Sequence, residues 1–240
     1  MEVKDLNVLY EDNHIIVVIK PAGVPVQEDK SGDLDMLSII KAYLKEKYNK
    51  PGNVYLGLVH RLDRMVSGVM VFAKTSKAAS RISEYIRNKD VKKKYLAIVN
   101  GTLKQSKEEV VLKNYLVKNE KLNMSRVVDK DYKGAKEAIL SYKVLQNFKY
   151  NEKDYSVVDV NLETGRHHQI RLQFSNISHP LYGDVKYGKN VNKPGKNVAL
   201  FSYYLSFYHP TKDEYLEFKY FPDNTCMLDK IWSCVDYGNR

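Results

Sequence analysis

Cysteine and long apolar runs are scarce in this chain of 240 residues. The two cysteines, Cys226 and Cys234, lie on either side of Trp232 and form neither a disulfide framework nor a CxxC pair. We therefore expect both thiols to be reduced, buried and inert, as in a protein of the cytoplasm. The apolar run from Ile15 to Ile19 is too short for the core of a signal peptide or for a membrane span.

Several motifs of common enzyme chemistry are also missing. The sequence contains no GxxxxGK[ST] loop for nucleoside triphosphates. The segment His60-Arg61-Leu62-Asp63 is not a protein-kinase triplet, because a leucine intervenes and neither a glycine-rich loop nor Asp-Phe-Gly is present. The adjacent His167 and His168 diverge on a helix and cannot chelate one metal as an i, i+4 pair would. We therefore expect no metal site.

Arginine is scarce although the chain is basic, with 39 Lys and Arg residues and a formal net charge of +10. Only eight of these residues are arginines, and four of the eight fall in two short segments, His60 to Gly68 and Thr164 to Arg171. A planar, permanently charged guanidinium suits carboxylate and phosphate geometry better than lysine does. The first segment contains a single acid, Asp63, so the pattern pairs one carboxylate with distant arginines, as an active site would. The four arginines are Arg61, Arg64, Arg166 and Arg171.

The positive charge and the aromatic content favour a polyanionic partner. The pI is near 9.3, and 19 tyrosines supply flat, half-polar rings on which nucleic-acid bases could stack. A lysine-rich surface that only keeps a protein soluble has the same composition, so charge alone does not decide between the two interpretations.

Hydrophobic periodicity predicts a strand-rich order with a few helices. The predicted strands are Val8 to Tyr10, Ile15 to Ile19, Val69 to Ala73, Tyr95 to Val99, Ala138 to Val144 and Tyr155 to Leu162, followed by a hairpin of Val198 to Tyr208 with Tyr215 to Tyr220. The predicted helices are Asp35 to Tyr48, one capped by Ser76, one that follows a tight turn at Gly165, and a last one capped by Asp223 or Asn224 and running to Val235. Residues 101–136 are highly charged and predict an exposed hairpin or excursion.

Strands that follow one another without regular βαβ alternation predict an α+β fold with a mixed, largely antiparallel sheet and flanking helices. We find no linker, so we expect one domain over residues 1–240. Asp63 would lie in a turn that enters a buried strand. An Arg171 placed one and a half helical turns beyond Arg166 could pair with Asp63 and keep it ionised as a nucleophile or base. A surface aspartate in a salt-bridged turn is the alternative.

His60-Arg61-Leu62-Asp63, followed by Ser67-Gly68, resembles the catalytic motif of the RluA-type pseudouridine synthases. Three further stretches resemble motifs of that family in order and spacing, and the resemblance spans roughly residues 6 to 220. These stretches are Asp12 to Gln27 with Lys20-Pro21-Ala22-Gly23, the tyrosine strand Lys94-Tyr95-Leu96-Ala97, and Thr164 to Arg171 with Gly183-Asp184 and Tyr187-Gly188.

The resemblance implies an enzyme that isomerises uridine in structured RNA to its C-linked form without a cofactor, on the family's α+β fold with an active-site cleft across the sheet. Asp63 matches the family's aspartate, which would attack the ribose or assist a glycal-like intermediate. Arg171 matches the arginine that pairs with this aspartate. Tyr95 would lie against the target base and could relay a proton, whereas ordinary strand packing is its alternative role.

The target uridine must leave the helical stack, at a cost on the order of a few kcal/mol, and Arg61 is the candidate to fill the vacated space. We also expect His60, Arg166 and Lys94 to bind substrate, although His60 can instead be a structural hydrogen-bonding residue. The run Lys92 to Lys94 and Arg126 could bind phosphate or simply form a solvated basic face.

The sequence departs from the family pattern at Val66 and His167, where threonine is usual, and at Gln173, where histidine is common. These departures affect the expected substrate more than the expected chemistry. Because the resemblance begins close to Met1, we expect no N-terminal S4-type RNA-binding domain, and we expect a cytoplasmic monomer that acts on ribosomal or transfer RNA. Two alternatives remain open: a non-catalytic RNA-binding module, and a nucleic-acid hydrolase with Asp63 and His60 as its acid and base.

Overall fold

The computed structural model describes residues 5–223 and 229–237. The chain divides into two compact units, the first within Met1–Lys92 and Ser202–Met227 and the second within Lys93–Phe201 and Leu228–Arg240. The expected single catalytic domain over residues 1–240 stays a prediction.

The first unit contains a small antiparallel sheet and two helices. Its elements are β1 (Asn7–Glu11), β2 (Ile15–Lys20), α1 (Met36–Lys47), β3 (Gly57–Leu58), β4 (Ser67–Ala73), α2 (Ser76–Asn88) and β11 (Tyr215–Lys219). Strand β10 (Leu200–Tyr208) begins in the second unit and continues in the first, where it pairs with β11. Strand β2 pairs with β1 on one side and with β4 on the other, and β3 also pairs with β4.

Strands β2 and β4 form the core of the first unit because every one of their residues is buried. The predicted apolar runs Ile15 to Ile19 and Val69 to Ala73 are therefore confirmed as buried strands. Gly68, at the start of β4, has a φ of 129°, a conformation open mainly to glycine. A Cβ built there would overlap the backbone of Ser202 in β10, so only glycine fits at this position.

The two helices of the first unit have side-chain caps at their N-termini. The carboxylate of Asp35 accepts a hydrogen bond from the Ser38 amide at 3.2 Å and begins α1 as predicted. Helix α2 is capped by Thr75, whose hydroxyl accepts from the Ala78 amide at 3.2 Å. The predicted cap Ser76 was wrong by one residue, because both positions carry a hydroxyl and only backbone geometry distinguishes them.

The second unit contains β5 to β9, one helix and a short 3₁₀ helix. Its elements are β5 (Lys92–Asn100), β6 (Val110–Asn119), β7 (Met124–Val128), β8 (Lys136–Tyr150), β9 (Lys153–Leu162), α3 (Gln169–Asn176) and the 3₁₀ helix Lys230–Cys234. These strands pair antiparallel in the order β5, β9, β8, β6 and β7. The charged segment 101–136 contains the predicted hairpin, β6 with β7, and β6 also extends the sheet beside β8.

Two predicted features near the third motif and the C-terminus differ from the structure. The left-handed residue before α3 is His168, with a φ of 53°, rather than Gly165. In the described residues 229–237, the predicted last helix is represented by a 3₁₀ segment, Lys230–Cys234, which is capped by Asp229; its predicted start beyond Asp223 falls on residues that the structure does not describe. Asn224 lies outside the described residues, as does Cys226, and Cys234 is a free thiol that is half-buried rather than buried.

The predicted α+β class, with a largely antiparallel sheet and flanking helices, is confirmed. Within residues 5–223 and 229–237, no helix has the length and apolar character needed to cross a membrane.

Candidate active site

Asp63 lies in a tight turn between β3 and β4 and is half-buried. Its backbone carbonyl accepts a hydrogen bond from the Val66 amide at 3.0 Å, and its Oδ1 accepts from the Met65 amide at 3.2 Å. A carboxylate that accepts a backbone N–H within its own turn has a fixed orientation and its negative charge is stabilised. The sequence therefore places an oriented carboxylate directly before a buried strand, as predicted from the motif.

Lys20, at the end of β2, is fully buried and hydrogen-bonds the backbone of this turn. Its Nζ donates to the carbonyl oxygens of Pro21 at 2.9 Å, Arg64 at 3.0 Å and Val66 at 2.8 Å. Burial lowers the pKa of Lys20 to about 7, and the negative charge of Asp63 opposes this decrease. The attraction is mutual, so the Lys20 cation favours the ionised carboxylate.

Arg64 fastens the loop that follows β2 to the Asp63 turn. Its Nε donates to the Gly23 carbonyl at 2.9 Å, and its Nη1 donates to the Ser31 hydroxyl at 2.9 Å. Its guanidinium also pairs with Asp29 at 3.3 Å and with Asp33. Arg64 therefore binds carboxylates within the protein. The clustering of arginines predicted a carboxylate or phosphate partner, but it did not identify Asp29 and Asp33.

His60 and Arg61 flank the turn in different environments. The Nε2 atom of His60 accepts a hydrogen bond from the Val71 amide of β4 at 3.1 Å. One ring nitrogen of His60 is therefore occupied by a hydrogen bond from β4. This hydrogen bond disfavours a role for His60 as the acid or base of a hydrolase. Arg61 is exposed and its side chain is available at the surface of the first unit.

In the second unit, Tyr95 is buried on β5, opposite Val160 of β9. Its neighbour Lys94 is half-buried and lies opposite Asn161. Because side chains alternate along a strand, Tyr95 shares a face with Lys93 and not with Lys94.

The turn of the third motif is tied to β8 by Thr164 and Gln169. The Thr164 hydroxyl accepts from the Ile139 amide at 2.8 Å and donates to Gln169 Oε1 at 2.8 Å. Gln169 Oε1 also accepts from the Arg166 amide at 3.0 Å. The Arg166 side chain is exposed, and its Nε donates to the Glu137 carbonyl at 2.8 Å.

Arg171, on α3, forms a buried ion pair with Asp184. Its Nε donates to Asp184 Oδ2 at 2.7 Å and its Nη2 donates to Oδ1 at 2.6 Å. Asp184 Oδ1 also accepts from the amides of Lys186 at 3.0 Å and Tyr187 at 3.2 Å. Asp184 stood in the motif as quoted, but its role as the partner of Arg171 was not predicted. The proposed pairing of Arg171 with Asp63 stays a prediction.

A hydrogen-bonded contact joins the β6–β7 hairpin to the third motif. The Ser125 amide of β7 donates to the Tyr187 hydroxyl at 2.8 Å, which also hydrogen-bonds His168 Nδ1 at 2.9 Å. The Ser125 hydroxyl donates to the His167 carbonyl at 3.0 Å and lies 2.9 Å from His167 Nδ1. The two histidine rings stack with centroids 3.7 Å apart, so the prediction that they diverge on a helix was wrong, because both residues precede α3, which begins at Gln169. Sequence reasoning missed this contact, since the hairpin and the motif are far apart along the chain.

One open cavity of about 710 Å³ lies in the first unit, and it contains none of the predicted site residues. Its lining includes the exposed rings of Tyr208 and Tyr215, which pack edge to face with centroids 5.0 Å apart. Across the described part of the chain, no group of three or more His, Cys, Asp and Glu side chains is arranged to hold a metal ion.

Comparison with known proteins identifies the family context of these residues. A family sequence profile described as RNA pseudouridylate synthase matches residues 14–176, which include Asp63, Tyr95 and Arg171. The uncharacterised RNA pseudouridine synthase YlyB of Bacillus subtilis is 33% identical over 221 residues, covering 91% of this chain and 69% of that protein. The ribosomal large subunit pseudouridine synthase C of Buchnera aphidicola is 32% identical over 215 residues, covering 85% of this chain and 63% of that protein.

Among solved structures, human RNA pseudouridylate synthase domain containing 1 superposes with a TM-score of 0.74 at 25% sequence identity. The match covers 93% of this chain and 85% of the human chain. The chain spans about two thirds of the length of the curated relatives, 69% in the case of YlyB.

Proposed function

Because this chain belongs to the RNA pseudouridylate synthase family, we propose that it isomerises uridines of ribosomal RNA to pseudouridine with Asp63 as the nucleophile. The name of the Buchnera relative supports ribosomal RNA as the substrate, and transfer RNA is the alternative. The observation that carries the proposal is the Asp63 turn, in which a motif aspartate within the matched region accepts a hydrogen bond from the Met65 amide and interacts electrostatically with the Lys20 cation that binds the same turn.

The reaction exchanges one bond to the ribose for another. In the ribose route, the Asp63 carboxylate attacks C1′ and the N1–C1′ bond breaks, so that the bonding electrons leave with the uracil. The uracil then turns over, its C5 bonds to C1′ as the carboxylate departs, C5 loses its proton and N1 gains one. In the glycal route, Asp63 instead assists loss of a ribose proton. Both routes leave the composition and oxidation state unchanged, so neither requires a redox cofactor.

We assign the remaining roles through the motif matches. Tyr95 lies against the target base and relays the proton from C5, since a phenol offers both a ring face and an oxygen that donates and accepts. Arg171 favours the ionised form of Asp63. Arg61 enters the space that the flipped uridine vacates, and His60, Arg166 and Lys94 contribute to the substrate surface. We further propose that the protein acts in the cytoplasm as a monomer without a cofactor.

The test is to incubate the protein with total RNA from cells that lack its gene and to map new pseudouridines by chemical adduct formation and primer extension. We expect discrete new sites in ribosomal RNA with the wild-type protein and none with Asp63→Asn. The matched control is Asp90→Asn, an exposed aspartate of the same unit, which should give the wild-type pattern.

Absence of any new site with folded wild-type protein would refute the enzymatic proposal. Sites found only in transfer RNA would refute the assignment to ribosomal RNA. Equal losses for Arg61→Ala on a folded stem-loop and on an unstructured strand would refute the role of Arg61 in base flipping.

A further inference from the structure

Lys93 is a half-buried cation beside the third motif. It is the second residue of β5, and its side chain shares a strand face with Tyr95, two residues further on. Its Nζ lies near the turn that follows β9, 3.9 Å from the position that a Cβ on Gly165 would occupy. Lys93 is therefore a residue of the tyrosine strand whose ammonium group lies beside the turn of the third motif, within the second unit.

The ammonium group of Lys93 has no partner within the described part of the chain. Neither a hydrogen bond nor an ion pair involves its Nζ, and burial lowers its pKa with no nearby charge in opposition. The nearest acid along the turn, Glu163, is exposed and forms no ion pair with it. A partly desolvated cation without a counter-charge is energetically unfavourable, and such groups are enriched at binding sites.

The surface around Gly165 is open to a ligand. Gly165 is exposed, and within the described part of the chain, apart from its own sequence neighbours, Lys93 Nζ at 3.9 Å is the one atom within 4 Å of where its Cβ would be. On the other side of this turn, Arg166 directs its guanidinium toward Glu137 of β8 and remains exposed. The missing side chain of Gly165 therefore leaves a gap at the surface beyond the end of β9, which we call the Gly165 gap. Lys93 of β5 lies on one side of this gap, and Arg166, near β8, lies on the other.

We propose that Lys93 binds a backbone phosphate of the substrate RNA and that Arg166 contacts a neighbouring phosphate as the strand crosses Gly165. The proposal deepens the proposed function and rests on it for the identity of the RNA. Lysine binds phosphate as a point charge, which suits a single Nζ facing an open gap. Lys94, which we also propose for the substrate surface, projects from the other face of β5, so we assign the phosphate contact at the Gly165 turn to Lys93.

The experiment measures binding of a labelled, unmodified ribosomal RNA transcript at several salt concentrations. The variants are Lys93→Met, which keeps the length without the charge, and Lys93→Arg, which keeps the charge. We expect Lys93→Met to raise Kd about tenfold near 0.1 M salt and to reduce the salt slope by about 0.7 to 0.9, the contribution of one phosphate contact. Lys93→Arg should retain most of the affinity and the full slope.

The matched control is Lys153→Met, which removes an exposed lysine at the opposite end of β9 in the same unit. This variant should change Kd less than about twofold, because its charge is distant from the gap. Equal losses for Lys93→Met and Lys153→Met would show a general charge effect and overturn the proposal. An unchanged Kd and an unchanged salt slope for Lys93→Met would also overturn the proposal. A lower kcat with an unchanged Kd would overturn it too, because a loss of kcat alone indicates a contact made only with the reacting base.

A second variant covers the case in which Lys93→Met does not fold. Gly165→Val keeps Lys93 but places a branched side chain in the gap in front of Nζ, and it should reproduce the loss of affinity and of slope. Wild-type affinity for Gly165→Val would contradict the proposal. If the wild-type protein forms no pseudouridine in any RNA, the proposed function fails, while the binding comparison still decides the role of Lys93.

Discussion

The guanidinium of Arg171 and the carboxylate of Asp184 meet through two parallel hydrogen bonds of 2.7 and 2.6 Å in the interior of the second unit. The Arg171 side chain is 5% exposed and the Asp184 side chain is 0% exposed. The guanidinium also lies over the Tyr187 ring, 5.3 Å from its centroid. Asp184 thus fixes the orientation of the arginine that we propose acts on Asp63.

Replacing Asp184 by asparagine should destabilise the protein strongly. The substitution leaves a buried guanidinium without its counter-charge, which costs about 3 kcal/mol of unfolding free energy. Urea denaturation of Asp184→Asn measures this loss, with Asp131→Asn, an exposed aspartate, as the control. We also expect kcat to fall in Asp184→Asn under conditions where the variant is folded. Wild-type kcat in the folded variant would contradict a positioning role for Asp184.

Replacing Lys20 by methionine should loosen the Asp63 turn. Three buried carbonyls, those of Pro21, Arg64 and Val66, would lose their donor, so the unfolding free energy should fall by about 3 kcal/mol. The exposed Lys30→Met is the control. A stability for Lys20→Met within experimental error of the wild type would show that these hydrogen bonds contribute nothing.

The same variant tests a pH dependence. The folded pKa of Lys20 is about 7, below its ordinary value of 10.5, so between these two values the unfolded state binds more protons than the folded state. The stability contributed by Lys20 therefore rises with pH across this window. The difference in unfolding free energy between wild type and Lys20→Met should widen from about pH 7 to about pH 10. A difference that narrows with rising pH would contradict this assignment.

Glu11 should stabilise the first unit at neutral pH and lose this effect in acid. Although burial raises its pKa, hydrogen bonds from Lys47, Lys74 and Tyr48 outweigh burial and lower the pKa to about 2. The contribution is complete above the ordinary value of 4.5 and declines as pH falls toward 2. Glu11→Gln should cost about 2 kcal/mol near pH 7 and less than half of that near pH 3. The exposed Glu46→Gln should show neither effect, and an equal cost at both pH values for Glu11→Gln would refute the linkage.

Tyr187→Phe should release the β6–β7 hairpin from the third motif. The substitution leaves the Ser125 amide without its acceptor, at a cost of about 1 to 2 kcal/mol. Hydrogen exchange of the Ser125 amide should accelerate about tenfold, while the control Tyr132→Phe, at an exposed ring, should leave it unchanged. Unaltered exchange in Tyr187→Phe would show that other contacts hold the hairpin.

The buried strands and the first helix could be predicted because their signals are local. Ile15 to Ile19 and Val69 to Ala73 are continuous apolar runs, and Asp35 precedes a helical spacing with a capping carboxylate. The left-handed conformation of His168 could not be predicted, because glycine at position 165 was the stronger local signal for a turn. His168 hydrogen-bonds the Tyr187 hydroxyl, which in turn accepts a hydrogen bond from the Ser125 amide. Both partners are distant from His168 in the sequence, so a local pattern does not reveal them.

The candidate site also contains features that local sequence signals predict and features that depend on contacts between distant residues. Asp63 was predicted from its motif. The role of Lys20 was not, because the three carbonyl oxygens that it binds are backbone atoms, which a sequence motif does not identify. The carboxylate partner of Arg171 lies 13 residues further along the chain, beyond the helix that carries the arginine. The sequence named the run Lys92 to Lys94 as possible phosphate ligands, but it could not distinguish the three lysines, because only strand pairing and burial separate them.

Two departures from the family pattern coincide with contacts to the same hairpin. His167 hydrogen-bonds Ser125 of β7, and Gln173 donates to the Leu112 carbonyl at 3.1 Å and to Asn114 Oδ1 at 2.9 Å on β6. This chain therefore attaches its charged hairpin to the third motif with side chains of its own.

Gly68 limits which substitutions the segment from His60 to Gly68 can accept. The backbone of Ser202 in β10 occupies the volume that any side chain at position 68 would need. A library randomised from position 60 to position 68 and selected only for soluble expression would accordingly recover glycine codons at the last position. Glycine at position 68 is therefore required for the packing of β4 against β10, and this requirement can be measured without an assay of catalysis.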